Sequence, residues 1–273
     1  MKSLEEKDKL VSVVMATFNE SPEMISKSIE SILNQSYQNI ELCIMDDSTN
    51  EDTIQTIESF CKDERVRVFR SSERLGFIRS LNRGLEESRG GYIARMDGDD
   101  IALPRRIETE VKFLEANSEV MVVGGQINII DKNDVVTSKR NYPTGGFKFW
   151  LFSCYRNPLA HPTIMMRREL VDQGYRYDEN LKMSEDLDFW LRLMNKGYKL
   201  ANTKSVVLNY RVMDNFLEKR SSDTQRKVMA QVRRKNFCWK HFIHSTLSVM
   251  AGVLFNIVPR GAIDKAYKKE NKQ

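Results

Sequence analysis

The chain has 273 residues, 41% of them hydrophobic and 30% charged, with a formal net charge of +5. This is enough apolar chain for a sizeable core, which excludes a disordered tail and a peptide too small to fold alone. Charge is uneven: from Arg211 onward there are 14 Lys and Arg against 5 Asp and Glu, so a basic tail follows a mildly acidic body.

The opening "MKSLEEKDKLVSVVM" places acidic residues before a short apolar run, which suits a first strand and not a secretory signal. Cys43, Cys61, Cys154 and Cys238 lie far apart, with no CxxC pair and no histidine cluster. They read as free thiols in a reducing compartment, so the expected location is cytoplasmic. "LVSVVMA" (10–16) is a β-rich run. "SPEMISKSIESILNQS" (21–36) has helical spacing at Met24, Ile25, Ile29, Ile32 and Leu33, with Ser21 as N-cap and Pro22 in the first turn. Next come a strand at 40–47, a helix at 53–62 capped either by the Asp46-Asp47 pair or by Thr49 or Asp52, which would leave that pair free, a strand at 65–70, a helix at 76–90 and a fourth strand entering "YIARMDGDD". Strands alternating with amphipathic helices predict an α/β fold with a doubly wound parallel sheet.

The loop "IARMDGDDIALP" crowds Asp97, Asp99 and Asp100. Like charges this close repel, so the cluster destabilises the chain unless something positive sits over it. One reading is a solvated turn, with Gly98 permissive and an aspartate, Asp100 above all, capping a helix opened by Pro104. The other is a loop that holds a hard divalent cation carrying a phosphorylated ligand. Ligands on such sheets bind beyond the carboxyl ends of the strands. Thr17, Asn19 and Glu20 after the first strand, Asp46 and Asp47 after the second, and Asp97 and Asp99 after the fourth all fall on that edge, which favours a binding site.

Residues 118–210 are mixed. "VMVVGGQINIID" reads as two short strands around Gly124 and Gly125, "KFWLFSCYRNPLAHPTIMMRRELV" is aromatic and broken by turns, and Ser184 caps a helix with Leu187, Trp190, Leu191 and Met194 on its apolar face.

Taken in order, "VSVVMATFNE", "IELCIMDDSTNEDT", "LGFIRSLNRGLEESRGGYIARMDGDD", "HPTIMMRRE" and "SEDLDFWLRL" resemble a bacterial family 2 glycosyltransferase of the GT-A fold, over about residues 10–212. The resemblance implies a Rossmann-like, mostly parallel sheet flanked by helices. It also implies an inverting enzyme that uses nucleotide-diphospho-sugars, UDP-sugars first, to build surface polysaccharide on a saccharide acceptor, in many cases lipid-linked. Residues 1–117 would bind the donor, 118–212 the acceptor, and 213–273 would form a helical extension. By the same resemblance Ala16, Thr17, Phe18, Glu20, Asp46 and Asp47 hold the nucleoside, with Arg79, Asn82, Asp97 and Gly98 also on the donor side. Asp97-Gly98-Asp99 is the DxD motif, with Asp99, and Asp97 beside it, binding Mn²⁺ or Mg²⁺. Asp186 of Glu185-Asp186 is the base that takes the acceptor proton, and Glu185, His161 and Trp190 lie on the acceptor side. Bland readings stand beside some of these: Arg79 as a surface helix arginine, His161 as a buried histidine bonded to backbone. The sequence departs from the pattern after "LNYRV", where Met213 and Asp214 stand in place of a histidine, so the metal would rest mainly on Asp99, diphosphate and water.

Residues 222–245 read as a basic helix, followed by the apolar "LSVMAGVLFNIV" (247–258). Twelve residues are too few to cross a bilayer, which takes about 20. Flanked by Lys240, Arg260, Lys265, Lys268 and Lys269, the segment is either an interfacial anchor on anionic lipid or a helix packed on the body. Two other functions fit less well. A nucleotidyltransferase needs a Gly-rich basic loop after the first strand, which "ATFNESPEM" lacks. A nucleic-acid module needs clustered stacking aromatics and leaves the acidic motifs unexplained, so no nucleic-acid partner is expected.

Overall fold

The structure, a computed structural model, describes residues 9–212 and 223–258. Its frame is one nine-stranded sheet. Four parallel strands form the first half: β1 (Val11–Thr17), β2 (Ile40–Asp46), β3 (Val66–Phe69) and β4 (Tyr92–Asp97). The helices between them are α1 (Pro22–Leu33), α2 (Glu51–Ser59) and α3 (Phe77–Glu87).

Side chains of β1 alternate faces, as strand geometry requires. Val11, Val13 and Met15 pack with Ile25, Ile29 and Ile32 of α1, and with Ile107 and Leu114 of α4 (Arg106–Ala116). Val14 and Ala16 point the other way, to Ile78, Leu81 and Leu85 of α3. After the short α6 (Glu169–Asp172), α7 (Glu185–Asn195) closes that second layer with Phe189, Trp190 and Leu193.

Beyond β4 the sheet is mixed, which the prediction of a doubly wound parallel sheet did not contain. β8 (Met165–Arg167) pairs antiparallel with both β4 and β6 (Val120–Ile130), β6 runs parallel to β9 (Lys199–Arg211), and β5 (Ile101–Ala102) pairs antiparallel with β9. β7 (Val136–Arg140) forms a hairpin with β6.

The glycines at 124 and 125 do not divide two strands. β6 continues through them, with its register against β9 shifting between Gly124 and Gln126, and a Cβ on Gly125 would lie 2.3 Å from Val207 Cγ2: the glycine admits close approach of β9.

The ends of the first helices also shift. Asn50, and neither Thr49 nor Asp52, caps α2 by accepting the Thr53 N–H at 3.0 Å. Ser21 and Pro22 open α1 as expected. Asp100 does not cap α4. Its Oδ1 accepts the Arg211 N–H at 2.8 Å, while Gln35 at the end of α1 accepts the Ile107 N–H at 3.0 Å.

Among the described residues the C-terminal extension holds two helices, α8 (Asp223–Lys235), which stops short of the basic helix expected over 222–245, and α9 (Phe242–Ile257), with α5 (Gly146–Tyr155) beneath α9. His244, Ser245, Ser248 and Gly252 face inward, while Leu254 at 59% and Ile257 at 72% exposure face outward. No helix among the described residues is long and apolar enough to cross a membrane. Met213, Asp214, Arg260, Lys265, Lys268 and Lys269 lie outside the described residues.

Candidate active site

Register brings the strand-end polar residues together. Thr17 pairs with Asp46, and Ala16 with Asp97, across the carboxyl edge of the sheet. Asn19 takes a left-handed backbone, which asparagine tolerates, and its Oδ1 accepts the N–H groups of Thr49 and Asn50 at 2.8 Å each. The loops after β1 and β2 are thereby joined.

Above them lies a cavity of ≈280 Å³, with Ala16, Thr17, Phe18, Glu20, Asp47 and Asp97-Gly98-Asp99 on its wall. Arg74, Ser80, Tyr210 and Arg211, which sequence reasoning did not select, line it too. The Arg74 guanidinium lies 3.5 Å over the Phe18 ring, a flat cation-bearing shelf.

Several predicted residues have structural work instead. The Asp46 side chain is sealed from solvent: it bonds Arg70 Nε at 2.8 Å and accepts from Thr17 Oγ1 and the Ser48 N–H, so it does not reach the cavity. Asp47 does reach it, and its carboxylate also accepts the N–H groups of Leu75 and Gly76 and the Ser80 hydroxyl, holding the loop that carries Arg74. Asn82 is buried and clamps the Tyr177 backbone through both its amide oxygen and nitrogen, away from the cavity. Arg79 is mostly exposed, 3.3 Å from Glu179, and is not on the cavity wall. Trp190 is fully buried in the core and does not line the neighbouring cavity either.

The acidic loop is held open by its neighbours. Arg95 forks onto the Asp97 carboxylate, and Arg211 Nε donates to the Asp99 carbonyl oxygen at 2.7 Å. Carboxylate oxygens of Asp97, Asp99 and Asp100 lie within 4.8 Å of one another. Burial first, and then the Asp97 charge, raise the Asp99 carboxyl to about 6. Burial, and then the Asp97 and Asp99 charges, push Asp100 well above its ordinary value, and its Oδ2 has no hydrogen-bond partner among the described residues. Glu20 is pushed up to about 7, mainly by burial and then by Asp99 and Asp97. An orphaned carboxylate oxygen among crowded acids whose charged forms are disfavoured is what a hard divalent cation would relieve, so these residues fit Mn²⁺ or Mg²⁺.

A second cavity of ≈420 Å³ meets the first at Phe77, Asp97 and Tyr210. Glu185, Asp186 and His161 line it, and so do Asn157, Arg156 and Met229. Asp186 Oδ1 accepts the Leu187 N–H at 2.7 Å, and Oδ2 accepts the Asn157 amide. Ser184 stands at the head of α7 in a left-handed conformation and makes no side-chain cap, unlike the sequence expectation. A non-glycine residue held there signals local strain beside the acidic pair. Glu185 is raised to about 7 by burial and by Asp186. His161 bonds the Tyr177 hydroxyl at 2.9 Å and not backbone, and burial with Arg95 nearby keeps its ring well below the ordinary histidine range. The residues missed by sequence reading, Arg74, Ser80, Arg156, Asn157 and Met229, carry no local pattern; only Tyr210-Arg211, inside the quoted "LNYRV", had a signal.

Comparison with known proteins agrees with this arrangement. The description Glycosyl transferase family 2 matches residues 12–175. An uncharacterized glycosyltransferase of Methanocaldococcus jannaschii is 32% identical over 264 residues, covering 90% of this chain and 89% of that protein. The amylovoran biosynthesis glycosyltransferase AmsE of Erwinia amylovora is 27% identical over 267 residues, 96% of this chain and 100% of that protein. Among solved structures, residues 1–349 of S. aureus TarS in complex with UDP superpose with a TM-score of 0.67 at 18% identity, covering 89% of this chain and 70% of that one. That likeness establishes a shared GT-A fold, whose parallel half and mixed half are those described above. With a family match across most of the sheet and a relative alike along nearly its whole length, this chain belongs to glycosyltransferase family 2 and is a glycosyltransferase.

Proposed function

We propose that the chain transfers a sugar, with inversion, from a nucleotide-diphospho-sugar to a saccharide acceptor in surface polysaccharide synthesis. The carrying observation is that two cavities meet at Asp97, one walled by the Asp97–Asp99 loop and the other by Asp186. Residues 1–117 would then serve the donor, and 118–212 with the C-terminal helices the acceptor, with Tyr210 and Arg211 crossing to the donor side.

In this reading the nucleoside lies along Ala16, Thr17, Phe18 and Asp47, with Arg74 over Phe18 as an added contact. Asp99, with Asp97 beside it, would hold Mn²⁺ or Mg²⁺, which supplies positive charge to the departing diphosphate when bound. Asp186 takes the proton of the acceptor hydroxyl as that oxygen attacks the anomeric carbon, opposite the leaving diphosphate. Asn157 and the Leu187 N–H hold its two oxygens in place. Glu185, whose carboxyl burial and Asp186 raise to about 7, can donate to or accept from sugar hydroxyls. His161 stays neutral and braces the wall through Tyr177. Support for a UDP-sugar comes from the UDP in the TarS complex, and for polysaccharide synthesis from the name of AmsE.

Testing it requires the purified full chain, Mn²⁺, and a panel of UDP-, GDP- and dTDP-sugars, with and without a lipid-linked saccharide. The expected result is slow hydrolysis of one UDP-sugar, accelerated by acceptor. Condensation of a nucleoside triphosphate with a sugar phosphate would instead establish the nucleotidyltransferase reading.

We further propose a cytoplasmic enzyme, peripheral on the inner membrane face. α9 has 16 residues and so spans only about 24 Å, short of a bilayer core. Its outward face carries Leu247, Met250, Leu254 and Ile257, with Lys240 exposed at its start. Such a helix suits the headgroup boundary of anionic lipid, where a lipid-linked acceptor would be found. The protein should co-float with anionic liposomes at low salt and be released by salt, and Leu254→Glu with Ile257→Glu should cut binding at least tenfold. Intact protein that ignores such liposomes at low salt would leave α9 as a packed helix only.

A further inference from the structure

The larger cavity is closed on one side by the C-terminal helices, through Gln225, Arg226, Met229, Arg233 and Phe255. Arg233 is only 2% exposed. Its Nη1 donates to the carbonyl oxygens of Ser153 at 2.9 Å and Cys154 at 2.8 Å, and to Ser248 Oγ at 2.7 Å. Its Nη2 is buried, and among the described residues it has no partner and no acid forms an ion pair with the guanidinium. Burial draws its guanidinium down to about 10.

Arg226, on the same helix and the same wall, spends Nη1 on the carbonyl oxygens of Phe255 and Val258, and pairs through Nη2 with the exposed Asp223. Its Nε is buried without a partner among the described residues.

A guanidinium taken out of water and given only neutral acceptors is unfavourable, and one whose purpose is to tie α8 to α5 and α9 needs no charge. Arginine is instead the side chain whose fork matches phosphate and carboxylate. We infer that this cavity seats an anionic group of the acceptor, a phosphate or a carboxylate, on Arg233 and Arg226 while the acceptor hydroxyl lies at Asp186. The inference rests on the reading of this cavity as the acceptor site and adds the acceptor's chemical class.

The test is calorimetric titration of the full chain, with its donor site filled by saturating UDP, using three ligands: a hexose, its 1-phosphate and its uronic acid. The expected result is that at least one anionic sugar binds tenfold or more tightly than the neutral one. The phosphate winning assigns a phosphorylated acceptor, and the uronate winning an acidic sugar. Arg233→Met should reduce the preference to near unity. Because Arg233 also braces three elements, Arg226→Gln serves as a second variant and should reduce the same ratio severalfold. A bracing role alone leaves that ratio unchanged. Equal affinity for all three ligands, the absence of any binding included, overturns the inference. Failure of the glycosyltransferase reading would be seen separately, as a full chain that consumes no nucleotide-sugar in the donor panel.

Discussion

Asp186→Asn should lower turnover by about 10²–10⁴-fold while nucleotide binding stays near that of the native chain. A sugar hydroxyl is a poor nucleophile, so its proton must leave as the bond forms, and an amide cannot take it. The substitution keeps size, and the new amide oxygen can still accept the Leu187 N–H that Asp186 Oδ1 accepts at 2.7 Å, so the start of α7 should hold. The donor cavity does not include this residue, which is why affinity for nucleotide serves as the internal control. Anomeric configuration gives the second readout. With one displacement, an α-linked donor yields a β-linked product, and NMR detection of retention would rule that out. Loss of nucleotide affinity together with loss of fold in Asp186→Asn would mean that this acid serves the helix and not the sugar.

Asp99→Asn should abolish metal-dependent turnover and leave the fold intact. The carboxyl of Asp99 stands at about 6 and that of Glu20 at about 7, each raised first by burial and then by acidic neighbours. A folded-state value above the unfolded one means that the unfolded chain releases its proton first. Without metal, each group therefore costs stability as pH rises through the interval between the two values, from 3.8 towards 6 for Asp99 and from 4.5 towards 7 for Glu20. Removing the Asp99 charge should lower the Glu20 value and leave the metal-free variant at least as stable as the native chain at pH 7. Adding Mn²⁺ reverses the order: the native chain should gain Tm with metal concentration, and the variant should gain little. Thermal melts across a Mn²⁺ series and turnover with and without chelator provide both measurements. Native-level turnover in Asp99→Asn, or full turnover of the native chain in chelator, would falsify the metal assignment.

In the first half of the sheet the strands β1 to β3 were legible to within a residue, and the three helices between β1 and β4 to within three residues. β1, β2 and β4 are mostly apolar runs buried on both faces, β3 is a shorter edge strand only partly buried, and each helix keeps a 3.6-residue period. Helix ends were less legible, because the group that satisfies a terminal N–H need not be local. Asn50 caps α2 from next door, whereas Gln35 reaches the start of α4 from the end of a different helix. Gly124-Gly125 read as a break because a glycine pair carries the same local signal in a turn and in a strand pressed against its neighbour.

By itself the sequence determined the family, the order of the elements through β4 and the acids at the strand ends, since these depend on periodicity and on motifs a few residues long. It could not separate Asp46 from Asp47, because the distinction depends on Arg70, which reaches one carboxylate and not the other. Nor could it show that Asn82 and Trp190 face the core, that Arg74, Asn157 and Arg233 line cavities, or that the C-terminal helices wall the larger one. Those outcomes are decided by which side chains meet across long separations in the chain. Only packing of the helices on the curled sheet brings such groups together, and no local pattern encodes it.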